Sequence, residues 1–253
     1  MQDRYSGDIG DFAKFAVLRG LFTKDRFHLG LVWYLTSQQG DPAGDGRHTR
    51  YLERSPRNDT LYRACDPPLF DSLARLVESG TRSVSQYPSL AVLPEDTVYV
   101  DTPLLFGPTE LQHDRIQRRT RWLRDAIDKT AECDAVMFDP DNGLEVKSAG
   151  RYTKRGPKYV FFDELAKYVQ RDQTIVIYQH AIRSGTLDQQ VSTRLKQLRD
   201  RLNLTAEPFG LVWRSVSPRA FLVAPTARHH DKLVQRATEL LNGPLGQHAT
   251  LQH

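Results

Sequence analysis

The chain has 253 residues, 39% hydrophobic and 26% charged, with a formal net charge of +4 and a pI near 9.1. That length suits one sizeable α/β domain, and no apolar run approaches the ~20 residues needed to cross a bilayer. The opening "MQDRYSGDIG" has neither the basic nor the apolar segment of a secretory signal, and Cys65 and Cys133 lack the spacing of a disulfide framework or a thiolate zinc site, so a soluble cytoplasmic protein with no membrane partner is expected.

In chain order, "GDFAKFAVLRGLF" places Phe12, Phe15, Ala16, Leu18 and Leu21 at helical spacing, which predicts an amphipathic helix opening near Asp11. The apolar, β-branched run Leu29 to Thr36 reads as a buried parallel strand, and the polar loop "SQQGDPAGDGRHTR" follows it. "PPLFDSLARLVESG" is a helix with proline at its start and Gly80 at its end. "DTVYVDTP" is a short strand ending at Asp101. A long Arg-rich helix then carries Ile116, Leu123 and Ile127 on one stripe.

"DAVMFDP" is a buried strand that delivers Asp139 at its end, "KYVFFDELAKYV" a helix, "QTIVIYQH" a strand ending near His180, and "TLDQQVSTRLKQLRDRL" a helix. "EPFGLVWRS" and "RAFLVAP" form a hairpin before the helix "DKLVQRATELL". Strands alternating with helices and closed by a hairpin predict a three-layer α/β domain over 1–241 with a mainly parallel sheet, and a flexible tail over 242–253. In such sheets ligands bind beyond the carboxyl ends of the strands, where Thr36, Asp101, Asp139 and Tyr178 to His180 fall.

The stretch "VMFDPDNGLEVKS" concentrates Asp139, Asp141 and Glu145, with Asn142 and Gly143, directly after a buried strand. One reading is a turn in which Pro140 fixes φ, Asn142 and Gly143 take positive φ, and the acids are solvated. Another is a ligand site. Tyr178, His180 and Arg183, at the next strand end, lie about 5 Å away across a parallel sheet and would face Asp139, with His180 as base or ligand and Arg183 as a phosphate contact. Basic clusters from Arg115 to Asp125 and from Lys147 to Lys158 supply Arg118, Arg119, Lys154 and Arg155 as candidate phosphate contacts for a nucleic acid. At the N-terminus, Gly7, Asp8, Gly10, Asp11 and Lys14 surround a helix start, a place where free N–H groups and an ammonium hold anions; simple capping by Asp11 is the other reading.

"GDIGDFAKF", Gly7 to Phe15, resembles the G-N-x-x-D-V-x-K-H motif of the bacterial large-subunit ribosomal RNA adenine-N6 methyltransferases. "VWYLTSQQG" is similar to that family's first strand and glycine loop, and "RYL" and "YPS" to short landmarks before the second strand. Asp101 is similar to the acid that holds the ribose hydroxyls, and "FDPDN" falls where the family carries D-P-P-Y. The resemblance implies a Rossmann-like, class I methyltransferase-type fold, S-adenosylmethionine as cofactor and an amino group of a nucleic-acid base as acceptor. Gly7, Asp8, Lys14, Ser37, Gly40 and Asp101 would lie around the cofactor. Asp139 and Pro140 would accept hydrogen bonds from the amine, with Asp141, Asn142 and His180 beside them and Tyr178 supplying the stack on a flipped base. The sequence departs from the family at Asp8, at Phe15, in the glycine loop, in having no clear third strand, and in the missing aromatic after Pro140.

The residues also permit a second chemistry. Asp139, Asp141 and Glu145 are hard oxygen ligands suited to Mg²⁺, and Glu145 with Lys147 has the E-x-K spacing of PD-(D/E)xK nucleases, which points to a metal-dependent phosphodiesterase. A non-catalytic nucleic-acid-binding relative is a third possibility.

Overall fold

The computed structural model describes residues 2–25, 27–36, 46–182 and 185–253. In chain order the elements are α1 (Ile9–Phe22), β1 (Leu29–Trp33), α2 (Pro56–Leu61), α3 (Pro67–Glu78), β2 (Val98–Val100), α4 (Gln112–Lys129), β3 (Ala135–Asp139), β4 (Gly143–Leu144), β5 (Tyr159–Val160), α5 (Phe162–Val169), β6 (Thr174–His180), α6 (Leu187–Leu202), β7 (Phe209–Trp213), β8 (Arg219–Ala224), α7 (His230–Asn242) and β9 (Ala249–Gln252).

Seven strands form one sheet in the order β2-β1-β3-β6-β8-β7-β9, and β4 with β5 forms a separate two-stranded ribbon. From β2 to β6 all neighbours are parallel; β8, β7 and β9 add antiparallel pairs. The alternation of side chains along each strand divides the core in two. Leu31, Met137, Val176 and Phe221 pack under α1, α3 and α7, whereas Val32, Val136, Phe138 and Ile177 pack under α4, α5 and α6. This is the expected three-layer α/β arrangement, and it is compatible with a Rossmann-like fold.

The chain leaves β1 toward β2 on one side and toward β3 on the other, so the crevice between them is a topological switch point, the usual ligand position in open α/β sheets. The register pairs Trp33 with Asp139, which brings both strands to their carboxyl ends at the same level.

Several boundaries differ from expectation. The first helix starts at Ile9 with Asp8, not Asp11, as its cap: Asp8 Oδ1 accepts from Gly10 N at 2.8 Å and from Asp11 N at 3.1 Å. α1 is buried nearly all round because α3, α7 and the sheet enclose it, so no solvent stripe marks its phase. β1 ends at Trp33, and "KYVFFDELAKYV" opens with β5 before α5 begins at Phe162. The inward face of α4 is Arg119, Trp122, Ala126 and Ile127, while Ile116 is exposed. No strand lies between β2 and β3 among the described residues, and β2 is the sheet edge.

The expected flexible tail is instead a short 3₁₀ turn and β9, which pairs with β7 from Trp213–Ala249 to Gly210–Gln252. An otherwise open strand edge gives this terminal segment a partner, and His248 anchors it. Its Nε2 lies 2.6 Å from the Leu61 carbonyl oxygen, and its ring stacks on Tyr62 and Trp213.

Candidate functional site

A cavity of about 270 Å³ opens at the carboxyl ends of β3 and β6. One wall is the start of α1, with Asp8, Gly10, Asp11 and Lys14. Another is the segment after β3, with Asp139, Pro140, Asp141 and Asn142. Tyr178, His180 and Arg219 close the third side, and Tyr5, His48, Lys158 and Ser217 complete the rim.

Lys14 joins the first two walls. It lies one turn into α1, only 2% exposed, and its Nζ donates to Asp11 Oδ1 at 2.6 Å and to Asp139 Oδ2 at 2.7 Å. Burial works against its charge, but the two carboxylates outweigh burial and raise its pKa. Asp139 Oδ1 accepts no hydrogen bond among the described residues, so the Lys14 contact leaves one carboxylate oxygen for a ligand.

Two tyrosines far along the chain brace this corner. Tyr51, in the "RYL" segment, donates to the carbonyls of Gly7 at 3.1 Å and Asp8 at 3.4 Å. Tyr87, in "YPS", donates to Asp11 Oδ2 and accepts from Gly7 N at 2.9 Å. Gly7 has φ +78°, and a Cβ there would sit 2.8 Å from Val77 of α3, so the tight entry to α1 requires glycine. Gly7 therefore shapes the site from behind and does not line the cavity.

The turn after β3 is held from below. Gln179, buried, accepts from Leu144 N at 3.0 Å and donates to the carbonyls of Asn142 at 3.2 Å and His180 at 3.0 Å. Gly143 alone in this turn has positive φ, at +110°; Asn142 does not, contrary to the simple turn reading. Asp141 faces Lys158 at 3.3 Å and accepts from Gln2 and Thr36, both at 3.4 Å. Burial pushes its carboxyl upward, and the cations around it, Lys158 among them, bring it below the ordinary aspartate value. Gln2, Thr36 and Lys158 also line an adjoining cavity of about 300 Å³, so the Asp141 cluster is the partition between two spaces.

Asp8 is pushed up to about 6, first by burial, then by the neighbouring Asp11 charge, with Arg219 opposing both. Because its ordinary value is 3.8, the folded state binds the extra proton between about pH 4 and 6. Stability from this group is thus fully present below pH 4 and lost as pH rises through 6. Denaturation midpoints measured from pH 4 to pH 7 are expected to show this loss in the native protein and its absence in Asp8→Asn, which keeps a cap but cannot titrate; an unchanged profile refutes it.

Of the residues singled out in the sequence, Asp8, Lys14, Asp139, Pro140, Asp141, Asn142, Tyr178 and His180 meet in the one cavity. Asp101 follows β2, exposed, outside it. Ser37, Gly40 and Arg183 lie outside the described residues. Arg119 is not a phosphate contact: it is 1% exposed and binds Glu164 with two bonds, Nε to Oε1 at 2.6 Å and Nη2 to Oε2 at 2.9 Å. Arg118 is exposed and paired with Glu110, Arg155 donates to Tyr159 OH, and Lys154 lines the adjoining cavity.

The proposed metal ligands do not converge. Glu145 pairs with Arg201 at 2.7 Å and lines a different cavity, of about 540 Å³, beside α6. Asp139 is taken up by Lys14 and Asp141 by Lys158, and among the described residues no group of three His, Cys, Asp or Glu side chains is arranged to hold a metal ion.

Sequence reasoning missed Arg219, which comes from a segment without a motif, and it placed Lys158 only at the end of a basic cluster, not beside Asp141. Tyr51 and Tyr87 were visible only as landmarks; their hydroxyls act through the backbone of Gly7 and Asp8 and the side chain of Asp11. No family model matches this sequence, and no curated protein matches it. No helix among the described residues is long and apolar enough to cross a membrane.

Proposed function

We propose that the protein is a methyltransferase-like protein that binds S-adenosylmethionine and acts on an amino group of a nucleic-acid base. The observation that carries this reading is the Lys14–Asp139 ion pair, which ties the "GDIGDFAKF" helix to the "FDPDN" strand end at one atom. These are two of the segments that carry the family resemblance. Tyr51 and Tyr87, from the remaining landmarks, brace the same corner.

The residues present fit such a cofactor. The cavity and its neighbour together approach the size of pockets that hold drug-sized ligands. Side chains of both signs suit a zwitterionic amino-acid group. Asp101, exposed after β2 and without a partner among the described residues, lines neither cavity, so the cofactor reading rests on the charged groups around Lys14 and not on a ribose contact. When bound, the cofactor supplies an electrophilic methyl group.

The protein's part is orientation. Asp139 Oδ1 and the Pro140 carbonyl accept the N–H groups of the acceptor amine, leaving its lone pair for attack, and Lys14 fixes the rotation of the Asp139 carboxylate. Lys14 itself acts as a positioning residue, since both its hydrogen bonds go to carboxylates of the protein. In place of an aromatic after Pro140, the rings of Tyr5 and Tyr178 line the cavity and offer the stacking surface. Titration calorimetry with S-adenosylmethionine is expected to give a saturable isotherm; no saturable heat at millimolar cofactor overturns the proposal.

A further inference from the structure

Among the lysines and arginines that line the cavity, Arg219 alone lacks an anionic partner within ion-pair distance among the described residues. Lys14 is committed to Asp11 and Asp139, and Lys158 to Asp141. Arg219 is 5% exposed, an unusual burial for a guanidinium. Its Nε donates to the Ser217 carbonyl at 2.8 Å and its guanidinium stands 5.7 Å from the centre of the Tyr178 ring. Its two terminal nitrogens have no acceptor and no carboxylate within 4.0 Å among the described residues. Asp8 attracts it from farther away, while Asp8 Oδ1 serves the N–H groups of Gly10 and Asp11.

A guanidinium whose terminal nitrogens meet no protein acceptor and open into the cavity presents a planar fork that matches two oxygens of one oxyanion. The protein makes room for it. A Cβ on Gly10 would lie 1.6 Å from Arg219 Nη1, so glycine at this helical position lets the fork lie against the start of α1. Register sets its distance from the amine clamp. Arg219, on β8, pairs with His180 of β6, and β6 is next to β3, so its backbone stands two strands across and two residues along from Asp139, roughly 12 Å away. Tyr178 lies between them. A base held at Asp139 and stacked on Tyr178 would therefore direct its own sugar-phosphate toward Arg219. Four carboxylates share the cavity, which favours an anion of single charge over a dianion.

We infer that Arg219 is the anchor for a singly charged oxyanion on the acceptor, the phosphodiester attached to the nucleotide whose base enters the cavity. This rests on the functional reading above for the identity of the acceptor, though not for the anion site itself. It also relocates phosphate recognition from the basic clusters of α4 and residues 147–158 to the hairpin end at β8.

The test is calorimetry on the full-length protein without cofactor, using an adenylyl dinucleotide, adenosine, inorganic phosphate and acetate as probes. The dinucleotide is expected to bind at least about tenfold more tightly than adenosine. Arg219→Gln is expected to remove that advantage and leave adenosine binding unchanged. Arg219→Lys, which keeps the charge but not the fork, should recover part of it. Gly10→Ala, which displaces the guanidinium without altering its charge, should weaken the dinucleotide as well, and it carries the test if Arg219→Gln does not fold.

Equal affinity for dinucleotide and adenosine, or an advantage that survives both Arg219→Gln and Gly10→Ala, overturns the inference. Competition by acetate stronger than by phosphate also overturns it and assigns the site to a carboxylate. Dinucleotide binding that depends on Arg219 in a protein showing no heat with S-adenosylmethionine would retain the anchor and remove the methyl-transfer reading.

Discussion

Lys14→Ala is expected to destabilise the protein by about 3–5 kcal/mol, because it removes the one cation between two buried carboxylates. For a chain of this size that is a fall in melting temperature on the order of 10 °C. The two partners are not left in the same position. Asp11 keeps Tyr87 OH and Gly7 N as donors, whereas Asp139 Oδ2 has Lys14 alone among the described residues. Asp139→Asn in the Lys14→Ala background should therefore recover more stability than Asp11→Asn in the same background. Chemical denaturation of the single and double variants measures both claims. A Lys14→Ala protein melting within about 2 °C of the native one would show that the pair is not buried as described.

Arg119→Ala is expected to be comparably damaging, about 3–5 kcal/mol, with no direct effect on nucleic-acid binding. The change strands Glu164 and deprives the carbonyls of Gly156 and Tyr159, each 2.9 Å from a guanidinium nitrogen, of their donors. Those contacts tie α4 to the turn before β5 and to the start of α5, where Glu164 also accepts from Phe161 N. The neighbouring Arg118→Ala, at an exposed position, should stay within about 0.5 kcal/mol of the native protein. Denaturant midpoints for the two variants separate a structural arginine from a surface one, and equal midpoints would refute the assignment.

The adjacent arginines show where sequence reading stops. Both belong to "RIQRRTRWLRD", and composition treats them alike. Which one turns inward depends on the phase of α4 against the sheet. That phase is set by Trp122, Ala126 and Ile127, not by the stripe through the exposed Ile116. A helix whose buried face includes an arginine gives no clean apolar period to read.

Much else was legible. The strand-helix alternation, the buried runs at β1, β3 and β6, and the closing hairpin all follow from local hydrophobic pattern, because strands covered on both faces must be continuously apolar. The position of Asp139 at a strand end followed as well. The helix start was read three residues late because Asp8 and Asp11 are equally good caps by residue type, and only the backbone geometry made Asp8 the acceptor.

By itself, then, the sequence determined the three-layer α/β class, the strand ends that bear acids, and the pairing of an N-terminal helix motif with "FDPDN" as candidate chemistry. The tertiary structure decided which charges meet. Lys14 reaches Asp139 across 125 positions of chain, Glu145 turns away to Arg201, the terminal residues become an edge strand, and Arg219 arrives from the last hairpin. Such choices depend on sheet order and register, which bring distant segments within a few ångströms; a local pattern of apolar and polar residues holds no record of that distance.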